Sequence, residues 1–200
     1  MLPVSIYGKK VLAIYRCGSV LHGVEKDDSD RDFIVILKNY NDVRLCKVDN
    51  ADYFLFGVNK FKQAVNFDRR IADYYLIWLD NTLIAKENTL FVDESFKEEY
   101  YALINIDWKK YFKVWLRINY EYFSACFDGH INEKTLYNLY RLRSLLVHYE
   151  NTRKFEYYLS AEDKALIIDY KNKKENLEKH YANFKTIFAF IKKVLDKEER

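Results

Sequence analysis

Two aspartates one residue apart, Asp30 and Asp32, stand directly before the unbroken apolar run 33–37 (Phe-Ile-Val-Ile-Leu). A run of that length, preceded by Asp27-Asp28-Ser29 and followed by the turn-like Asn39-Tyr40-Asn41-Asp42, predicts a buried strand. Side chains two apart on a strand point to the same side, so both carboxylates are presented together. Adjacent carboxylates at the mouth of a buried strand repel unless a cation neutralises them, and hard oxygen ligands select Mg²⁺ or Mn²⁺ over softer metals. The spacing predicts a divalent-metal site.

A second apolar segment, 11–15, ends upstream at Cys17-Gly18-Ser19. A glycine there lets the backbone approach a ligand closely, and a following helix start offers N–H groups to phosphate. Ser19 adds a hydroxyl donor. Backbone donors and metal ions together would hold a triphosphate for in-line displacement at its α-phosphate, with pyrophosphate leaving. Two metals need a third carboxylate. Asp52, at the start of a third predicted strand 53–56, is the best placed, because a neighbouring strand brings its side chain beside the first pair; Asp49 is the reserve candidate.

These acids need a sheet to hold them, and the three apolar runs supply one. After Lys60 the spacing turns helical, around Phe61, Ala64 and Val65 and then through 71–79. Beyond about residue 100 nearly everything is helix. Trp108, Tyr111, Phe112, Trp115, Tyr122 and Cys126 form one stripe, closed by Asp128-Gly129. Leu139, Leu142, Leu146 and Tyr149 form a second, and Leu177, Tyr181, Phe184, Phe188, Ile191 and Leu195 a third. A sheet-bearing domain over 1–100 and a helical domain over 101–200 follow from this change of period.

Composition narrows the classes. Of 200 residues, 50% are hydrophobic and 18% aromatic, enough for a sizeable core and contrary to disorder. A net charge of +3, from 33 basic and 30 acidic residues, argues against a polycation that coats nucleic acid. Cys17, Cys46 and Cys126 lack C-x-x-C spacing, so neither a disulfide framework nor a zinc knuckle is expected. No stretch of 18 apolar residues occurs and residues 1–10 lack a leader pattern, so a cytoplasmic protein with no membrane partner is expected. The four histidines share no metal-ligand spacing. His22, after the Gly-Ser turn, either touches a nucleotide or packs under the turn. There is no G-x-x-x-x-G-K-[ST] loop and no G-x-S-x-G elbow.

The segments Gly18-Ser19-Val20-Leu21-His22-Gly23, Ser29-Asp30-Arg31-Asp32 and Asp52-Tyr53-Phe54-Leu55-Phe56, running into Lys60-Phe61, resemble the DNA polymerase β-like nucleotidyltransferase superfamily. Within it they are most similar to the predicted nucleotidyltransferases associated with RNA repair, whose pattern is G-S-x-x-[YH]-G, S-D-x-D and D-x-x-x-[YF] before K-F. Tyr140-Arg141-Leu142-Arg143 looks like the arginine-bearing helix that packs beside the nucleotide cleft in such proteins. Arg141 and Arg143 flank the stripe centred on Leu142, so at most one reaches that cleft. Two departures from the family pattern stand out: only about ten residues precede the first strand, leaving little room for the N-terminal helix that often covers the sheet, and the asparagine-proline motif that often follows the K-F segment is absent around Asn66-Phe67-Asp68.

The resemblance implies an α+β fold, a small mixed nucleotidyltransferase sheet with flanking helices followed by a C-terminal helical bundle. It implies Mg²⁺ (or Mn²⁺) on Asp30, Asp32 and Asp52, and an NTP substrate held by Gly18, Ser19 and Ser29, with Lys60 and Arg141 as further contacts. The expected reaction is transfer of NMP from the NTP to an acceptor hydroxyl, with an RNA 3′ end, such as that of tRNA, as the first acceptor to try. Two rival readings remain: a non-catalytic nucleotide-binding regulator, antitoxin-like or a sensor, and an adenylyltransferase toxin acting on a protein or tRNA.

Overall fold

A computed structural model describes residues 5–25, 30–66, 85–105, 108–127, 133–172 and 177–199, with side chains for all of these but 108–111, 127, 133–134, 172 and 177–178. Ser29, the helical stretch expected over 71–79 and the helix stop at Asp128-Gly129 lie outside the described residues. The fold is α+β, and the chain divides into two compact units, Met1–Asp107 and Trp108–Arg200.

In the first unit the three contiguous apolar runs become the central strands: β2 (Lys9–Cys17), β3 (Arg31–Leu37) and β5 (Ala51–Gly57). Strands buried on both faces read as continuous hydrophobic runs. The sheet also has three strands not foreseen from sequence: β1 (Ser5–Ile6), β4 (Val43–Val48) and β6 (Thr89–Val92). The order is β1-β2-β3-β5-β4, with β6 also on β2. β3 and β5 are parallel, and β5 runs between β3 and the antiparallel edge strand β4. The sheet is therefore mixed.

One sheet face carries Tyr15, Ile34, Ile36 and Phe56, packed on Phe61, Ala64 and Val65 of helix α1 (Val58–Val65) and on Tyr100 and Ile104 of α2 (Lys97–Ile104). The other carries Val11, Ile14, Phe33, Val35, Leu37 and Leu55. Each large side chain buried here contributes roughly 1.5–3 kcal/mol, so the register of the three central strands is strongly set.

The second unit contains α3 (Trp108–Phe127), α4 (Glu133–Thr152), α5 (Ala161–Asn172) and α6 (Leu177–Glu198). Phe112, Trp115, Leu139, Leu146, Phe184 and Ile191 are in its core, as their helical spacing predicts. Tyr181 departs from its expected stripe and is 39% exposed, while His180 beside it is fully buried. Helical periodicity runs through 180, 184, 187 and 191, and a polar residue on the inward face is passed over when only apolar positions are counted.

His180 Nδ1 lies 2.7 Å from the Tyr140 hydroxyl, and burial pulls its pKa below the ordinary 6.5. A base whose folded pKa is depressed binds fewer protons folded than unfolded. Its contribution is present above the unfolded pKa and is lost as pH falls through the folded one. Unfolding free energy of the wild type is thus expected to drop as pH falls below about 6.5, and the His180→Gln variant is expected to lose that slope in denaturant titrations. An unchanged slope would exclude His180 as its source.

A second buried polar cluster ties α4 to the start of α5. Asp163, 3% exposed, accepts from Arg143 Nε at 2.6 Å and from Ser144 Oγ at 2.6 Å, and Ser160 Oγ accepts from the Asp163 N–H at 3.0 Å. Removing one partner of a buried, hydrogen-bonded ion pair leaves a charge uncompensated and costs about 3–5 kcal/mol. Asp163→Ala is expected to destabilise the protein by about that amount in chemical denaturation; a loss below about 1 kcal/mol would mean the pair is solvated. No helix among the described residues is long and apolar enough to cross a membrane.

Candidate active site

The site residues gather where β2 and β4 end and β3 and β5 begin. Register does the work: Cys17 pairs with Asp32 across β2–β3, Asp32 with Asp52 across β3–β5, and Asp52 with Lys47 across β5–β4. Residues directly opposite on neighbouring strands share a face, with strands about 4.8 Å apart. Asp32 and Asp52 thus stand side by side, in line with Ile34, Phe54 and the other residues of the helix-covered face. On the reverse face at the same level, the Phe33 and Tyr53 rings stack at 5.2 Å and brace β3 against β5.

Gly18 closes one side. Its φ of 78° and ψ of −164° lie in a region open essentially to glycine alone, and a Cβ there would sit 1.8 Å from Asp32 Oδ2. Asp32 fills the space a side chain would take. Beyond it Ser19–His22 forms a single 3₁₀ turn where a helix start was expected, capped by Gly23 at φ 59°. The leading N–H groups of such a turn have no partner inside it. His22 is buried within the turn, 4% exposed, which accords with packing beneath it.

Lys47 closes the other side. Its Nζ lies 2.9 Å from Asp52 Oδ2 and 3.9 Å from Asp30 Oδ2. The hydrogen bond to Asp52 raises its pKa above the usual 10.5, and the charges of Asp52, Asp30 and Asp32 add to the effect. Asp30 precedes β3 instead of lying in it, and its side chain is 54% exposed against 14% for Asp52. Among the described residues no three acidic, histidine or cysteine side chains stand close enough to enclose a metal as they are, and it is the Lys47 ammonium that stands between Asp30 and Asp52.

Electrostatics favours a further cation. Three carboxylates and one ammonium leave a local charge of −2, and two carboxylates about 5 Å apart repel by about 3 kcal/mol at an effective dielectric constant of 20. The donor set is hard oxygen throughout, which suits Mg²⁺ or Mn²⁺. In donor type and charge these residues suit a divalent ion, and Gly18 brings the backbone of the turn directly against Asp32.

The other expected contacts belong to other elements of the chain. Asp49 is at the tip of the two-residue β4–β5 turn, at φ 51°, while Asp52 is the register neighbour of Asp32. Lys60 lies in the first turn of α1, beyond Gly57; β5 separates it from Asp52 by about 16 Å of extended chain. Arg141 belongs to the second unit, 8% exposed, with Nη1 donating to Asn138 Oδ1 at 3.2 Å and its guanidinium 4.8 Å from the Tyr137 ring centre. Arg143 is engaged with Asp163 and Glu162.

Lys47 is the residue the sequence reading missed. Its signal was present: Asp49-Asn50 between Val48 and Ala51 makes a two-residue hairpin, which places residue 47 opposite 52. Compared with known proteins, the chain matches no family model and no curated protein.

Proposed function

We propose that the chain is a metal-dependent nucleotidyltransferase that transfers NMP from an NTP to an acceptor hydroxyl. The observation that supports this most is the alignment of Asp32 beside Asp52, with Gly18 directly against Asp32. Asp30 and Asp32 would hold Mg²⁺ or Mn²⁺, and Asp52 the ion beside the attacking oxygen. When bound, the metal would supply Lewis-acid polarisation of the α-phosphate and neutralise charge on the leaving pyrophosphate. The backbone at Gly18-Ser19 orients the triphosphate, and the turn brings that backbone to the acids without an intervening side chain. Asp52 takes the proton of the acceptor hydroxyl at a carboxylate oxygen.

The acceptor follows from the sequence resemblance: an RNA 3′ end, tRNA first. The three cysteines, none of them in a disulfide, suit a reducing, cytoplasmic setting. A second reading, a nucleotide-binding regulator without turnover, is favoured by the Lys47–Asp52 pair, since an ammonium seated on the third acid is compatible with a site that binds nucleotide but no second metal. An adenylyltransferase toxin would share the chemistry and differ in acceptor.

The test is pyrophosphate release from each NTP with Mg²⁺ or Mn²⁺, with and without bulk tRNA, for the wild type and Asp30→Ala/Asp32→Ala. Release that requires tRNA and disappears in the double variant supports the RNA nucleotidyltransferase. Nucleotide binding by calorimetry with no release under any condition supports the regulator.

A further inference from the structure

We infer that Lys47 is an internal counter-ion that holds Asp52 and Asp30 in the metal-free protein and competes with the divalent ion for them, so that it sets the metal affinity of the site. This rests on the metal-site reading proposed above.

The two-residue turn after β4 and the antiparallel register fix the Lys47 backbone opposite Asp52, which puts its ammonium within reach of the acids. It reaches Asp52 at 2.9 Å and Asp30 at 3.9 Å, two of the three carboxylates that would hold a divalent ion. A metal that binds both must displace it. Displacement is open to it: the Lys47 side chain is 62% exposed, and its flexible stem can carry the ammonium back to water. The same edge position argues against a role in holding the fold, because an exposed ion pair contributes little to stability.

Position also separates this role from that of a phosphate-binding lysine. Along the row of register partners Asp32 and Asp52 lie between Lys47 and the Gly18 turn, so Lys47 is on the side away from the backbone donors expected to hold the triphosphate. Its removal should tighten metal binding and leave nucleotide binding intact. A lysine that gripped phosphate would do the reverse.

The experiment is Mn²⁺ binding to the full chain by electron paramagnetic resonance, without nucleotide, for the wild type, Lys47→Gln, Lys47→Arg and Asp52→Asn, with NTP affinity measured separately by calorimetry at saturating Mn²⁺. Taking the local charge from −2 to −3 is expected to lower the Mn²⁺ dissociation constant of Lys47→Gln roughly tenfold. Lys47→Arg is expected to stay near the wild type, Asp52→Asn to bind more weakly, and NTP affinity to be unchanged in Lys47→Gln. Equal Mn²⁺ affinity in the wild type and Lys47→Gln would overturn the competition while leaving the metal site standing. So would a loss of NTP affinity in Lys47→Gln with Mn²⁺ binding unchanged. Absence of Mn²⁺ binding in both the wild type and Lys47→Gln would overturn the metal site itself, and this inference with it.

Discussion

Asp32→Asn is expected to reduce pyrophosphate release by at least about three orders of magnitude, equivalent to about 4 kcal/mol of transition-state stabilisation. Asparagine has nearly the same shape, so it fits against Gly18 as the carboxylate does and leaves the β2–β3–β5 register unchanged. What it removes is the charge at the centre of the row, between the Gly18-Ser19 turn and Asp52. Like charges directly opposite in a sheet are destabilising, by up to roughly 1 kcal/mol, so thermal stability should hold or rise as activity falls. That opposition separates a functional carboxylate from a structural one. Activity within about tenfold of the wild type would remove Asp32 from the reaction.

Gly18→Ala is expected to be nearly as damaging by a different route. A Cβ at this position adds backbone strain of about 1–3 kcal/mol, because the conformation is essentially restricted to glycine. It would also lie 1.8 Å from Asp32 Oδ2, so the carboxylate must move, and a displacement of about 1 Å at a reacting centre can reduce the rate about a hundredfold. Gly8→Ala separates the two effects. Gly8 also has positive φ, +68°, but nothing lies within 4 Å of a Cβ there, so that variant carries strain without the clash. Both variants should unfold at lower denaturant concentration, and Gly18→Ala alone should lose activity. Equal activities in the two would mean that Gly18 serves only the turn.

The parts of this site that could be read in the sequence are those with strong local signals. β2, β3 and β5 were visible because strands buried on both faces are unbroken apolar runs, and Asp30, Asp32 and Gly18 were visible because they sit at the ends of those runs. β4 was not visible. Its residues Val-Arg-Leu-Cys-Lys-Val are mostly exposed and alternate imperfectly, as expected of an edge strand kept soluble by charge. With β4 went Lys47, whose meaning depends on a cross-strand partner. The parallel pairing of β3 with β5, which makes Asp32 and Asp52 neighbours, is likewise a matter of strand order, and local pattern does not encode strand order. Lys60 carried a motif match, yet the direction of β5 places it at the far end from Asp52. In the helical unit the apolar stripes were legible, while His180 and Asp163 were not, because a buried polar residue is recognised only by the partners that satisfy it.

The most direct test of nucleotidyl transfer follows the phosphorus atoms. The chain is incubated with Mg²⁺, bulk tRNA and NTP labelled either at the α-phosphate or at the γ-phosphate, beside the Asp32→Asn variant. The α-label is expected to enter the RNA fraction and the γ-label to appear as pyrophosphate, both only with the wild type. Transfer of the γ-label to the acceptor, or its release as inorganic phosphate with the α-label left on the nucleotide, would contradict nucleotidyl transfer.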